Sequence, residues 1–274
     1  MNENYKYELV ELSEIEELRN MKLNDYKGQI CDYIEEGIVT YKAQNIVIRE
    51  NNDKIGYFCI GTQGEFEGKI LEFFLMDSYK KEASYILQQA RDLYCWNGWF
   101  VNSQDSFSMP LLLDLNYKYS VNGYIFAYNS NENNKDIVLD DKLALAEVSE
   151  VREIYDLIML DNFYTGGNED SLLRRIKDKE VYLLRRDGKL IGVGFISILR
   201  RTPQYADLAM IIAPDERRKG YGEYLQRAMV RECFNMKIIP TACCDVNNIR
   251  SRQTLEKAGF YMDGCLLSVQ FDQR

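Results

Sequence analysis

The chain has 274 residues, of which 46% are hydrophobic and 28% charged, with four prolines and a formal net charge of −9. That composition belongs to a globular chain of one large or two ordinary domains and excludes long disordered linkers. Histidine is absent, which removes Ser-His-Asp and Cys-His mechanisms and the commonest metal ligand, so no metal site is expected; the acidity speaks against a nucleic-acid partner, which selects a broad basic face.

In chain order, the apolar pattern predicts helices within 13–36, strands near 44–60 and 69–77, a helix at 80–94, a strand at 98–103, a helix at 106–116 and a strand at 119–128. The polar, Asn-rich stretch 129–136, "NSNENNKD", then reads as a junction. After it, "SEVREIYDLIMLDNF" at 149–163 has helical spacing opened by Ser149 as an N-cap, and "SLLRRIKD" continues as a second helix. "EVYLLRR", the Asp187-Gly188 turn and "KLIGVGFISILRR" predict a β-hairpin, and "YADLAMIIA" a strand stopped by Pro214. A helix starts at Gly220–Gly222, followed by the strand "IIPTACCDV", a short helix ended by Gly259, and a terminal strand or hairpin from Phe260. The longest apolar run, 190–199, is half of the roughly 20 residues a bilayer crossing needs, and the N-terminus lacks a signal pattern, so no membrane partner and a cytoplasmic location are expected. The seven cysteines include no Cys-x-x-Cys pair and read as reduced, mostly buried thiols.

The plan is written twice. "ELSEIEEL" at 11–18 matches "EVSEVREI" at 147–154, and Ile55-Gly56 matches Ile191-Gly192, both at an offset of 136; "LLDLNY" at 112–117 matches "LEKAGF" at 255–260 at 143. Three matches in one order at nearly constant spacing argue for duplication, with the drift absorbed in loops. The expected domains are 1–132 and 133–274, each mixed α+β. Residues 1–138 hold 13 Lys+Arg against 22 Asp+Glu, and 139–274 hold 21 against 21, so all the excess acid lies in the first half.

Residues 213–225, "APDERRKGYGEYL", carry the chemistry. The first-turn amides of a helix starting near Gly220 have no intrahelical acceptor and form a ready anion site, to which Arg217, Arg218 and Lys219 add charge. The spacing fits neither a Walker loop nor a Rossmann fingerprint. "RRKGYG", of the form Arg/Gln-x-x-Gly-x-Gly/Ala, and "NNIRSRQTLEKAGF" some thirty residues later together resemble the acetyl-CoA-binding and closing motifs of the GNAT acyltransferase superfamily. The resemblance covers the whole second half in element order. It implies a three-layer α/β (α+β) fold, each half a mixed, mostly antiparallel twisted sheet flanked by helices, and N-acetyl transfer from acetyl-CoA to a primary amine of a small molecule or peptide.

What it implies for single residues follows position by position. The amides of Arg217, Arg218, Lys219, Gly220, Tyr221 and Gly222 would bind the CoA pyrophosphate. A bulged strand end at Ile211, Ile212 and Ala213 would pair with the pantetheine arm, and Asn248 and Ser251 would lie beside it. The family's proton-donating tyrosine falls on Leu255; Tyr221, Tyr261, Cys244 or a water would substitute, or the thiolate would leave unaided. Asp207 stands where the family often has its base, and the alternative is that it only caps the strand; Asp245 is a weaker candidate. At an offset of 136 the loop becomes "KKEASYI", with Ser84 and Ile86 for the two glycines, so the first half is expected to keep the fold and bind no CoA; its acidity serves either to attract a cationic amine or simply to keep the chain soluble. A non-catalytic acyl-CoA sensor is the alternative function, motivated by the missing tyrosine, and aminoacyl transfer from tRNA is disfavoured by the acidic surface.

Overall fold

In the computed structural model, which describes residues 5–26, 32–129, 143–160 and 168–271, the expected order of elements recurs in both halves. The first contains β1 (Tyr5–Val10), α1 (Glu16–Lys22), α2 (Asp32–Val39), β2 (Gln44–Glu50), β3 (Asp53–Ile60), β4 (Lys69–Leu75), α3 (Ala83–Tyr94), β5 (Gly98–Asn102), α4 (Ser108–Asp114) and β6 (Tyr119–Tyr128). The second contains β7 (Ala144–Leu145), α5 (Val151–Ile158), α6 (Glu169–Lys177), β8 (Val181–Arg186), β9 (Lys189–Ile198), β10 (Tyr205–Ile212), α7 (Tyr221–Asn235), β11 (Ile239–Asp245), α8 (Ile249–Lys257) and β12 (Phe260–Gln270). The expected helical residues 161–163 and most of the junction, 130–136, lie outside the described residues.

Local chemistry explains the boundaries. The Asp187-Gly188 turn has φ of 50° and 77°, the paired positive values of a type I′ hairpin. Gly259, with φ of 101°, ends α8 in the left-handed conformation that a side chain would disfavour. Asn168 and Asn248 cap α6 and α8, each side-chain oxygen accepting from the amide three residues on, Ser171 and Ser251.

The chain forms two compact units, Met1–Gly123 with Gly264–Arg274, and Tyr124–Asp263. This differs from the expected division at 132/133, which falls outside the described residues. The reason is strand length: β6 and β12 are single strands of 10 and 11 residues, so β12 is no hairpin, and each runs on past the unit in which it begins. In the first unit the strand order is β1-β2-β3-β4-β5-β12, with β12 antiparallel to β5 from Leu266↔Asn102 to Gln270↔Gly98. In the second it is β6-β11-β10-β9-β8-β7.

Each unit has three layers. Ile15, Leu18, Ile34 and Ile38 of the first two helical segments pack on one face of the first sheet, and Ile86, Leu87, Leu111 and Leu112 of α3 and α4 on the other. In the second, α5 and α6 bring Ile154, Leu157, Leu172 and Ile176 to one face, while α7 and α8 bring Leu225, Met229 and Leu255 to the other. Burying large aliphatic side chains on both faces gives the main driving force for each unit, roughly 1.5–3 kcal/mol per fully buried side chain.

Candidate functional site

In the second unit, β10 and β11 run parallel and part company. Their register is Tyr205↔Ile239, Ala206↔Pro240 and Asp207↔Thr241, and there it stops. The Thr241 hydroxyl closes the junction by donating to the Ala206 carbonyl at 3.0 Å. The amide of Leu199 donates to Tyr205 and that of Ala213 to Ile191, so the odd-numbered residues of β10 exchange hydrogen bonds with β9 and the even-numbered ones turn their main-chain groups toward the β11 side. Past the junction, Met210 and Ile212 are therefore the residues that line the open strand edge. Of Ile211, Ile212 and Ala213, the amides of the first and last face β9, and only Ile212 faces the gap. The Ile212 carbonyl accepts from Arg217 Nε at 2.9 Å. The expected bulge is absent: the β10–β9 register runs unbroken from Ala206 to Ile212, and a Cβ at Gly192 or Gly194 of β9 would meet Ile212 Cδ1 at 2.7 Å or Met229 Sδ at 2.5 Å.

In the loop after β10 the amides of Glu216 and Arg217 donate within the turn, to the carbonyls of Ala213 and Pro214, so the expected set of ligand-facing amides loses Arg217 and begins at Arg218. Arg218 and Gly220 both have positive φ, 63° and 89°; left-handed residues alternating with ordinary ones are the backbone pattern of a nest, in which successive N–H groups turn toward one point. The amides of Tyr221, Gly222 and Glu223 open α7 and have no intrahelical acceptor. Gly220 has open space where a Cβ would stand, so its constraint is conformational; Gly222 is held by space, since a Cβ there would meet Met210 Cε at 3.1 Å and Thr254 Cγ2 at 3.3 Å. Of the three basic residues, Arg217 braces β10 as described, Lys219 pairs with Glu216 at 2.9 Å, and Arg218 is exposed. One neighbour escaped sequence reading: Arg186, from the β8–β9 turn, donates to the Tyr221 hydroxyl. Only hairpin geometry brings it there.

The remaining candidates separate by sheet face. Ala206 and Leu208 pack with α7 and α8, so Asp207 points to the α5–α6 side. By the same alternation Cys243 and Asp245 share that side, while Ala242 and Cys244 face α7 and α8. Asp207 and Cys244 are thus on opposite faces. Burial pushes the Cys244 thiol up to about 11. Leu255 is core, 4% exposed, and Tyr261 is exposed. Among the described residues no group of three or more Cys, Asp or Glu could hold a metal ion, and no helix is long and apolar enough to cross a membrane.

Two family models match the chain: the GNAT acetyltransferase domain over residues 11–129 and the GNAT acetyltransferase family over 148–260. The chain belongs to the GNAT acetyltransferase family, in tandem form. A GNAT-family acetyltransferase from Colwellia psychrerythraea superposes with a TM-score of 0.86 at 18% identity, covering 97% of this chain and 100% of the other. A tandem GNAT protein from the clavulanic acid biosynthesis pathway gives 0.65 at 11% identity, covering 97% and 98%. A GCN5-related N-acetyltransferase from Sphaerobacter thermophilus gives 0.63 at 9% identity, covering 99% and 96%. These likenesses are of fold. No curated protein sequence matches significantly.

The first GNAT unit has the same fork and has filled it. β4 and β5 pair only at Lys69↔Gly98 and Ile70↔Trp99. Phe73 stands three residues past that junction, as Met210 does in the second unit, and its carbonyl accepts from Lys22 Nζ at 3.0 Å. The same ammonium meets Asp105 Oδ2 at 2.6 Å. Asp105 occupies, at an offset of 143, the place of Asn248, and caps α4 through the amides of Phe107 and Ser108. Alongside, Arg19 binds Glu72 at 2.8 Å and Glu35 at 2.6 Å, all buried. Burial opposes charge on Glu72 and Asp105, yet Arg19 and Lys22 outweigh it and hold both carboxyls below their ordinary range. At an offset of 136, Arg19 and Lys22 become Tyr155 and Ile158, so the second GNAT unit does not repeat these two cations; there the Ile212 carbonyl takes Arg217 instead.

Proposed function

We propose that this GNAT protein is an N-acetyltransferase that moves an acetyl group from acetyl-CoA to a primary amine, with the co-substrate bound in the second half, 133–274, alone. The observation that carries the reading is the conjunction, in one unit, of an open strand edge at Met210–Ile212 with the backbone pattern of a nest at Arg218–Gly222. Acetyl-CoA supplies a thioester-activated acetyl group on an amide-bearing arm ending in a diphosphate. The residues present fit it: the amides from Arg218 to Glu223 suit the diphosphate, the edge at Met210 and Ile212 suits the arm, and Asn248 and Ser251 open α8 beside the same fork.

An alkylamine is mostly protonated at neutral pH and must lose a proton to attack. Asp207 serves as the base, directly or through a water, on the α5–α6 side where the acceptor enters. Main-chain donors of the fork stabilise the oxyanion. Burial pushes the Cys244 thiol up to about 11, so it is mostly protonated at neutral pH and suits proton donation better than nucleophilic attack. Tyr221 accepts from Arg186 through its hydroxyl oxygen, which ties the loop to the β8–β9 hairpin and leaves the phenol proton free to be donated. The net charge of −9 on residues 1–138 supports a cationic acceptor.

A second reading, an acyl-CoA sensor without turnover, draws on buried Leu255 standing at the family's tyrosine position. Release of CoA thiol, followed with a panel of polyamines, aminoglycosides and amino-acid amines, separates the two. Turnover with any amine supports the enzyme; tight CoA binding with no release on any of them supports the sensor. Calorimetry that detects no CoA binding overturns both.

A further inference from the structure

Gln226 of α7 is 1% exposed, and its Nε2 has no hydrogen-bond acceptor among the described residues. A buried carboxamide with an unmet donor is destabilising, and a leucine of similar size at that place would avoid the cost. On its neighbours' pattern the position calls for such a residue: Leu225 and Met229 are fully buried core.

The side of α7 that carries Gln226 is fixed by Gly222. Four residues separate them, so they share one stripe of the helix. A Cβ at Gly222 would touch Met210 of β10 and Thr254 of α8. The stripe therefore faces the gap bounded by β10 and α8, and Gln226 lies one turn deeper along it. That gap is where the β10–β11 ladder has ended and Met210 turns its main-chain groups outward from β9. Unmet main-chain groups and an unmet side-chain donor thus converge on one side of one strand. An extended chain carrying amide carbonyls and N–H groups satisfies both sets, whereas an alkyl chain satisfies neither.

We infer that Gln226 is a further cofactor-binding residue, its Nε2 donating to an amide carbonyl of the pantetheine arm of acyl-CoA. The inference rests on the reading of the second unit as the coenzyme A site. It assigns the arm, rather than the nucleotide, a side-chain contact inside the protein.

The test compares two ligands on the full chain by calorimetry: coenzyme A, and 3′-phosphoadenosine 5′-diphosphate, which keeps the nucleotide and lacks the arm. Gln226→Leu is expected to weaken CoA about tenfold, the worth of one net hydrogen bond, and to leave the nucleotide within twofold. Its melting temperature without ligand should equal or exceed that of the parent, since an orphan donor is gone. Gln226→Met, which adapts to the same space, should repeat the pattern if the leucine variant folds poorly. Unchanged CoA affinity in both variants overturns the inference, as does an equal loss for both ligands, which would mean a disturbed α7. If the parent chain binds neither ligand, the reading of the site itself falls, and that outcome is separate from either of the others.

Discussion

Lys22 Nζ lies 2.6 Å from Asp105 Oδ2, with both side chains nearly inaccessible to water. Where the second unit leaves a strand edge open, the first has placed an ammonium between a main-chain carbonyl and a carboxylate. Removing one member of such a pair strands the other charge in the interior. Lys22→Met should therefore cost about 3–5 kcal/mol by denaturant unfolding, and the double change with Asp105→Asn, which keeps a capping oxygen for Ser108, should recover much of it. A double-variant cost equal to the sum of the costs of Lys22→Met and Asp105→Asn alone would show the pair to be uncoupled.

The same unit should be acid-sensitive. Glu72 and Asp105 have folded pKa values depressed by Arg19 and Lys22. Their contribution is present above the ordinary carboxylate range, near pH 4, and is lost as pH falls through the depressed values. Melting temperature should thus drop steeply below about pH 4, and Asp105→Asn should flatten that slope. Indifference of the variant's slope to the change would exclude Asp105 as a contributor.

How much of this could be read from the letters depends on distance along the chain. The nest and the cap at Asn248 are local, so Gly220, Gly222 and Asn248 carry their own signal. The fork is less local: the strand "YADLAMII" is plain, but which of its residues face the gap, Met210 and Ile212 rather than Ala213, follows from the ladder phase with β9, which the letters do not carry. The ion cluster is not local at all. "EELRNMK" reads as an ordinary amphipathic segment, since the partners of Arg19 and Lys22, Glu72 and Asp105, stand 53 and 83 residues away.

Asp207 can be separated from the proposed cofactor site. Its side chain is on the α5–α6 face, away from the loop, so Asp207→Asn should lower kcat about 10²–10⁴-fold, as expected for a lost general base, while CoA affinity holds within twofold. The residual rate should rise with pH as the free amine population grows. An unaltered kcat would leave Asp207 as a strand residue without catalytic duty.

Thiol labelling orders the cysteines. Cys95 and Cys243 are exposed, whereas Cys233 and Cys244 are buried, with burial raising their pKa values to about 12 and about 11. Among the described cysteines, iodoacetamide at pH 8 should modify Cys95 and Cys243 first and leave Cys244 intact on the same timescale, because the thiolate is the reacting form. Early labelling at Cys244 in peptide mapping would contradict its burial and reopen a nucleophilic role.

The C-terminal strand makes the strongest demand on the fold. Residues from Gly264 onward belong to the first unit, where Leu266, Leu267, Val269 and Phe271 are at most 5% exposed and β12 supplies the partner of β5. Each large core side chain lost costs about 2–5 kcal/mol, and a domain holds only about 5–15 in all. A chain stopped after Asp263 should accordingly lose amide-exchange protection throughout β2–β5, although it keeps every residue from 1 to 123. The second unit would lose none of the residues of its α7 and β11 ladder, so their amides should exchange more slowly than those of β4. Full protection of β4 in the shortened chain would mean that the first GNAT repeat folds without the strand it takes from the far end of the sequence.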